Sequence, residues 1–237
     1  MNIKILFDNN IVNDRFQAGW GFSCLVDNSV LFDTGEDGGS LLHNMKEMDV
    51  DPDQLEAVVI SHDHWDHTGG LQDLLKLAEN LKVYACPGFS GRFKQNVISM
   101  EGHLIETDGF TEIKKDIYVT GAIRGEYKMQ AIEEQALAAR TANGITVITG
   151  CAHPGIVRIA GKVKEKFAGE ELYFVFGGFH LGGSNRREIN TVMKELEALG
   201  FEKYGPAHCS GDEAISMFRE RFGKDQVAIA AGKTFEV

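Results

Sequence analysis

Residues 57–70 read Ala57-Val58-Val59-Ile60-Ser61-His62-Asp63-His64-Trp65-Asp66-His67-Thr68-Gly69-Gly70. A short apolar run, of the length of a buried strand, ends at Ser61, and residues 62–67 then supply three imidazoles and two carboxylates. A glycine pair follows and opens a helix-like stretch. As plain structure this crowding is costly, because every polar group taken out of water needs a partner. As a metal site it is economical. His62 and His64, at alternate positions, project from the strand end toward one cation, while Asp66 and His67 open the next helix and face a second. Imidazole and carboxylate together suit divalent transition metals. Two divalent ions are expected, zinc first, with manganese or iron as alternatives.

Outward from this stretch, short runs rich in Val, Ile and Phe are bounded by Gly, Asp, Asn or Pro and read as strands. They are Lys4–Phe7, Phe22–Val26, Ser29–Phe32, Ala57–Ile60, Lys82–Ala85, Ile117–Thr120, Ile145–Thr149 and Leu172–Phe176. Helical spacing of apolar residues marks Ser40–Met48, Gly70–Leu81, Ser184–Leu199 (Ser184 as cap) and Ser210–Phe222. Ile132–Arg140 has helical propensity, yet Asn143-Gly144 is a hairpin signal and Ile145–Thr149 alternates as a strand does, so a β-hairpin is predicted. There is no internal repeat, low-complexity tract or linker. Strands, helices, strands and helices follow in blocks, which fits a sheet sandwich flanked by helices in one domain spanning 1–237.

Composition narrows the function class. Of 237 residues, 43% are hydrophobic and 25% charged, an ordinary globular balance. The formal net charge of −11 argues against nucleic acid or an anionic membrane surface as partner. No apolar run approaches the roughly 20 residues of a membrane helix. The N-terminal stretch reads as a strand and not as a secretory signal, so a cytoplasmic location is expected. Cys24, Cys86, Cys151 and Cys209 are widely spaced and form no CxxC pair, which excludes a zinc ribbon or a disulfide scaffold. They read as small buried thiols, with Cys151 and Cys209 flanking histidines. His43 reads as a surface residue and His103 as structural. Gly35–Gly39 lacks the lysine and spacing of a phosphate-cradling loop.

The His-x-His-x-Asp-His stretch resembles the first motif of the metallo-β-lactamase superfamily, and the resemblance extends along essentially the whole chain. It implies an α/β (α+β) fold, a four-layer αββα sandwich of two mixed sheets flanked by helices. Leu31-Phe32-Asp33-Thr34-Gly35 resembles the upstream motif whose aspartate orients the ligand loop, so Asp33 serves the reaction alongside Asp66. Thr149-Gly150-Cys151-Ala152-His153-Pro154-Gly155 resembles the third motif and implies His153 as the third ligand of the first ion. Gly205-Pro206-Ala207-His208-Cys209-Ser210-Gly211 resembles the last motif and implies His208 as a ligand of the second. One position departs from the pattern. The family commonly bridges its ions with an aspartate, but Phe174–Leu181 has no carboxylate, and His180 is the candidate substitute. The wording Gly-Gly-Phe-His-Leu and Gly-Cys-Ala-His-Pro-Gly is similar to the branch of 7,8-dihydropterin-6-yl-methyl-4-(β-D-ribofuranosyl)aminobenzene 5′-phosphate synthases.

The resemblance implies a metal-dependent hydrolase acting on an ester, lactone, thioester or phosphodiester, with a small and possibly anionic substrate. Asp66 would hold the second ion and orient the nucleophile or relay its proton, and Trp65 is positioned to wall the pocket. Arg124 and Lys128 carry the right sign to reach an anionic group. Two other classes stay open: a dihydropterin-type synthase that displaces diphosphate, and a diiron redox or sensor protein. The sequence does not set the oligomeric state.

Overall fold

Most of the apolar runs quoted above become strands in the computed structural model, which describes residues 1–78 and 80–237. In chain order these are β1 (Asn2–Phe7), β2 (Ser23–Val26), β3 (Val30–Phe32), β4 (Ala57–Val59), β5 (Lys82–Ala85), β6 (His103–Glu106), β7 (Thr111–Lys114) and β8 (Ile117–Val119). There follow β9 (Ile123–Tyr127), β10 (Gln130–Glu134), β11 (Leu137–Thr141), β12 (Gly144–Thr149), β13 (Leu172–Gly178), β14 (Lys203–Ala207) and β15 (Thr234–Glu236). The helices are α1 (Gly38–Glu47), α2 (Trp65–Thr68), α3 (Leu71–Leu75), α4 (Gly91–Ser99), α5 (Ile156–Lys166), α6 (Arg186–Leu199) and α7 (Asp212–Phe222). The backbone forms two units, Met1–Asp108 with Ala230–Glu236, and Gly109–Ile229 with Val237.

The first unit is built on a seven-stranded sheet of order β15-β1-β2-β3-β4-β5-β6. Its first four strands pair antiparallel, whereas β3 to β6 run parallel. Parallel neighbours need crossovers, and α1, the α2–α3 pair and α4 supply them in turn. β3 and β4 are buried on both faces, which is why they read as continuous apolar runs and not as alternating ones. The carboxyl ends of β3 and β4 therefore lie side by side at one sheet edge, the place where open α/β sheets form ligand sites.

The second unit repeats the principle. Its six-stranded sheet has the order β14-β13-β12-β11-β8-β7, with β12, β13 and β14 parallel and the rest antiparallel. α5 and α6 are the crossovers, and their apolar stripes (Ile159 and Val163; Ile189, Met193 and Leu196) join Val147, Val175 and Phe218 in one core. The carboxyl ends of β12, β13 and β14 again share an edge. A separate two-stranded ribbon, β9 with β10, precedes the sheet's central strands in sequence.

Several local expectations shift. α6 is capped by Asn185 and not by Ser184: the Asn185 side chain accepts from Arg187 N at 3.0 Å and Glu188 N at 3.1 Å. Glu188 accepts from Asn185 N at 2.9 Å, which completes a reciprocal cap. The helical propensity of 132–140 is overridden, because β11 pairs on both sides and buries Leu137, Ala138 and Ala139 completely. Its hairpin closes with Thr141 opposite Gly144, so the turn residues are Ala142 and Asn143 and Gly144 already belongs to β12. Of the stretch 70–81 only Leu71–Leu75 is helical, closed by Leu77 N and Ala78 N on Leu74 O, and residue 79 lies outside the described residues. His43 is half-buried with Nε2 at 2.9 Å from Arg15 O, and His103 is exposed at the start of β6. Among the described residues no helix is long and apolar enough to cross a membrane, and the cysteines form no disulfide.

Candidate metal centre

In the first unit, the residues after β3 and β4 are locked together through one carboxylate. Asp33 follows β3 in the left-handed region (φ 56°), which turns its side chain under the β4–α2 loop. Ser61 N donates to Asp33 Oδ1 at 2.6 Å, and Ser61 Oγ donates to Oδ2 at 2.7 Å. His67 Nδ1 lies 2.7 Å from the same Oδ2. A carboxylate only accepts, so His67 carries its proton on Nδ1 and its lone pair on Nε2. The Ser61 hydroxyl has spent its proton on Asp33, so at 2.9 Å it accepts from His62 Nδ1, and His62 likewise presents Nε2 as a base.

These imidazoles crowd one another. The His62 ring centroid is 4.2 Å from that of His67 and 4.6 Å from that of His64. His62 and His67 are fully buried, and Asp66 Oδ2 lies 3.7 Å from His67 Nε2. Buried rings this close would repel if charged, whereas neutral rings with oriented Nε2 lone pairs and a carboxylate are the donor set that a divalent cation takes. Burial pushes the Asp33 carboxyl above its ordinary value, and His67 and Ser61 oppose that rise. Asp63, by contrast, is structural: its Oδ2 accepts from Ser90 N at 2.9 Å, at the start of α4. Trp65 is 62% exposed and lines a cavity with Asp63, Ser90, Arg92 and Phe93.

Asp33→Asn keeps the shape but replaces the acceptor oxygens with an amide. With His67 as a metal ligand, metal affinity should fall about 10–100-fold, the usual cost of losing a group that orients a ligating histidine. Competition against a chromophoric chelator measures it, and an unchanged affinity refutes the positioning role.

The second unit is wired in the same way, through a carboxylate that the sequence did not disclose. Glu134, the last residue of β10, is fully buried beneath the loop after β12. Its Oε1 accepts from Cys151 N at 3.0 Å and Ala152 N at 2.7 Å, and its Oε2 accepts from His153 N and His153 Nδ1, both at 2.8 Å. Again Nδ1–H is fixed and Nε2 presented. Burial works against the charge on Glu134, but the His153 ring and the backbone N–H groups of Ala152 and His153 outweigh it and hold the carboxyl below its ordinary range. No motif flagged Glu134, which sits in the polar run Glu133-Glu134-Gln135.

His180 follows β13, is exposed and has φ 53°, with its ring 4.5 Å from that of His153. Tyr127 of the β9–β10 ribbon meets both rings edge-on, at 5.1 Å from His153 and 5.8 Å from His180. Gly177 and Gly178 are required just before it, since a Cβ on either would come within 2.0 Å of Thr149 O or 2.1 Å of Gly150 O. His208 follows β14 at φ 46° and is buried. Donor atoms of Cys151, His153 and His180 lie within 4.8 Å of one another, and those of Cys151 and His208 lie within the same distance. Cys209 Sγ donates to Cys151 O at 3.6 Å. Burial pushes the Cys209 thiol up, yet hydrogen bonds from Cys151 and His180 hold it well below the ordinary thiol range.

The strand-end aspartate, the histidine-rich turn and the two mixed sheets define the class. The chain belongs to the β-lactamase superfamily: the model of the β-lactamase superfamily domain matches residues 28–149. It has the metallo-β-lactamase fold, with a TM-score of 0.85 and 31% identity to Tm1679, a metal-dependent hydrolase of that superfamily, over 100% of this chain and 99% of the other. The 7,8-dihydropterin-6-methyl-4-(β-D-ribofuranosyl)-aminobenzene-5′-phosphate synthase of Methanocaldococcus jannaschii is 27% identical over 93% of this chain and 91% of its own. YhfI of Bacillus subtilis, at 15% identity and a TM-score of 0.67 over 99% of both chains, shares the fold. The family and fold expected from the motifs are borne out.

Proposed function

We propose that the chain is a cytoplasmic metal-dependent hydrolase of small molecules. His62, His64 and His153 would hold one divalent ion, and Asp66, His67 and His208 a second, with zinc the expected metal. The observation that carries this reading is the hydrogen-bond wiring. Separate buried acids, Asp33 and Glu134, fix His67 and His153 with Nε2 outward, and Ser61 does the same for His62. Divalent ions held by these donors supply Lewis acidity, making water a stronger acid near pH 7 and polarising a carbonyl or phosphoryl oxygen.

The chain's own groups have distinct tasks. Asp66 keeps its carboxylate partly open, with a side-chain exposure of 11%, and so can orient an incoming water and take up its proton. Asp33 and Glu134 hold imidazole geometry and touch no substrate. His180 lines the site, and either points at substrate or adds a donor. A cavity of about 480 Å³ beside His153 and His180 is walled by Ile156, Phe179, Leu181 and Val192, with Arg158 among its lining residues. That lining suits a small substrate with an apolar body and an anionic end.

A second reading is favoured by one observation, the 27% identity along 93% of the chain to a dihydropterin-type synthase. There the leaving group would be diphosphate, displaced by an aryl acceptor without water as nucleophile. Metal analysis of protein purified without added metal, followed by ester, lactone, thioester and phosphodiester substrates, tests the hydrolase. Pyrophosphate release from a pterin diphosphate, with and without the aryl acceptor, tests the synthase. Hydrolysis of one of the four classes is expected, and acceptor-dependent pyrophosphate release with no hydrolysis overturns it.

A further inference from the structure

Cys151 occupies a position that neither its burial nor the histidine motifs account for. Its Sγ lies within 4.8 Å of donor atoms of His153 and His180, and also within 4.8 Å of a donor atom of His208. Under the reading proposed above, His153 and His208 serve different ions. The thiol therefore stands among the donors of both, buried to 4% exposure. The backbone that carries it is fixed, because its own N–H and the two that follow are pinned to the Glu134 carboxylate, and Ala152 takes φ 62°. Phe174–Leu181, where a carboxylate would otherwise reach the ions, offers none.

We infer that Cys151 is a metal ligand, its thiolate shared between the two ions. On metal uptake the S–H bond breaks, the proton leaves to solvent and sulfur donates to the metal. A soft thiolate among imidazoles favours zinc or iron over magnesium or manganese, so the inference also narrows the metal. Cys209 is the thiol to compare: it takes hydrogen bonds from the Cys151 and His180 side chains, and its Sγ lies 3.6 Å from the Cys151 carbonyl oxygen.

The inference rests on the two-ion reading, and the test separates the two. The full chain is loaded with zinc and, in parallel, with cobalt(II), and metal content is measured. X-ray absorption at the zinc edge is expected to show a sulfur scatterer at about 2.3 Å. The cobalt form is expected to show thiolate-to-metal charge-transfer absorption in the near ultraviolet. Cys151→Ser should abolish that band and weaken binding of the second equivalent at least about 10-fold, whereas Cys209→Ser keeps the band. Cys151→Asp, which restores an anionic donor, should regain two ions without the band. Two bound ions with no sulfur scatterer overturn the thiolate ligand and leave the two-ion reading standing. Loss of the band in Cys209→Ser but not in Cys151→Ser overturns the assignment to Cys151. Failure to bind metal at all overturns both.

Discussion

Replacement of Glu134 by alanine is expected to lower the stability of the metal-free protein by roughly 3–5 kcal/mol, the loss typical of breaking a buried charged network. The carboxylate accepts three backbone N–H groups and one imidazole N–H, all at 2.7–3.0 Å. Its removal strands four donors in a site without solvent, each costing about 1–3 kcal/mol if nothing replaces the acceptor. A water entering the vacated space recovers part of that, which sets the figure below the sum. Glu134→Gln should lie between, since an amide keeps one acceptor oxygen but turns its NH2 toward N–H groups. Urea unfolding of the apo forms measures both, and a loss below about 1 kcal/mol for the alanine variant contradicts the network. The pH sign follows from the shift. The folded carboxyl ionises below its ordinary 4.5, so its contribution is complete above that value and fades as pH falls through the lower folded one. The gap between wild type and Glu134→Gln should therefore narrow in acid.

The double variant His64→Ala with Asp66→Asn is expected to behave in the opposite way, keeping the fold and losing the chemistry. His64 is half-buried at the β4–α2 junction and Asp66 sits on a single helical turn, so truncation removes little packing. Unfolding free energies should stay within about 1 kcal/mol of wild type, the usual scale where no apolar packing is lost. Each proposed ion loses one donor of its set, and turnover should fall at least about 10³-fold, the scale for removing a main electrostatic stabiliser of a transition state. Initial rates on the best substrate, with metal content measured alongside, decide the matter. Rates that survive would place the chemistry elsewhere or assign it to another enzyme in the preparation.

The contrast between these variants tracks what the sequence made legible. The 62–67 stretch could be read because all its donors lie within six residues and its apolar strand precedes it directly. Asp33 was legible through its motif, and the structure gives its reason in the bonds to Ser61 and His67. Glu134 was not, although it does for His153 what Asp33 does for His67. Its partners lie 17–19 residues away in sequence, across a strand pairing that only the tertiary fold establishes. The same limit hid β6, β7, β9, β10, β14 and β15. Edge strands such as β6 and β7 are largely exposed and lack the apolar density that betrays β4 or β12. The β14 segment Lys203-Tyr204-Gly205-Pro206-Ala207 carries a glycine and a proline that argue against a strand. The α4 helix was not among those expected, its buried face being reduced to Phe93 and Val97, and neither was α5, although Ile156, Ile159, Ala160 and Val163 stand at helical spacing.

Asp33, Ala152, His180 and His208 all adopt positive φ, from 46° to 62°. Non-glycine residues held there carry a conformational penalty on the order of 1–3 kcal/mol each in the less tolerant cases. Glycine at the exposed His180 would relieve that penalty without emptying a packed site, so under the reading proposed above stability and chemistry pull in opposite directions there. Under that reading, laboratory evolution that rewards heat tolerance without also rewarding turnover is steered toward erasing that side chain, so thermostabilised descendants of this chain would have to be screened for function at every round.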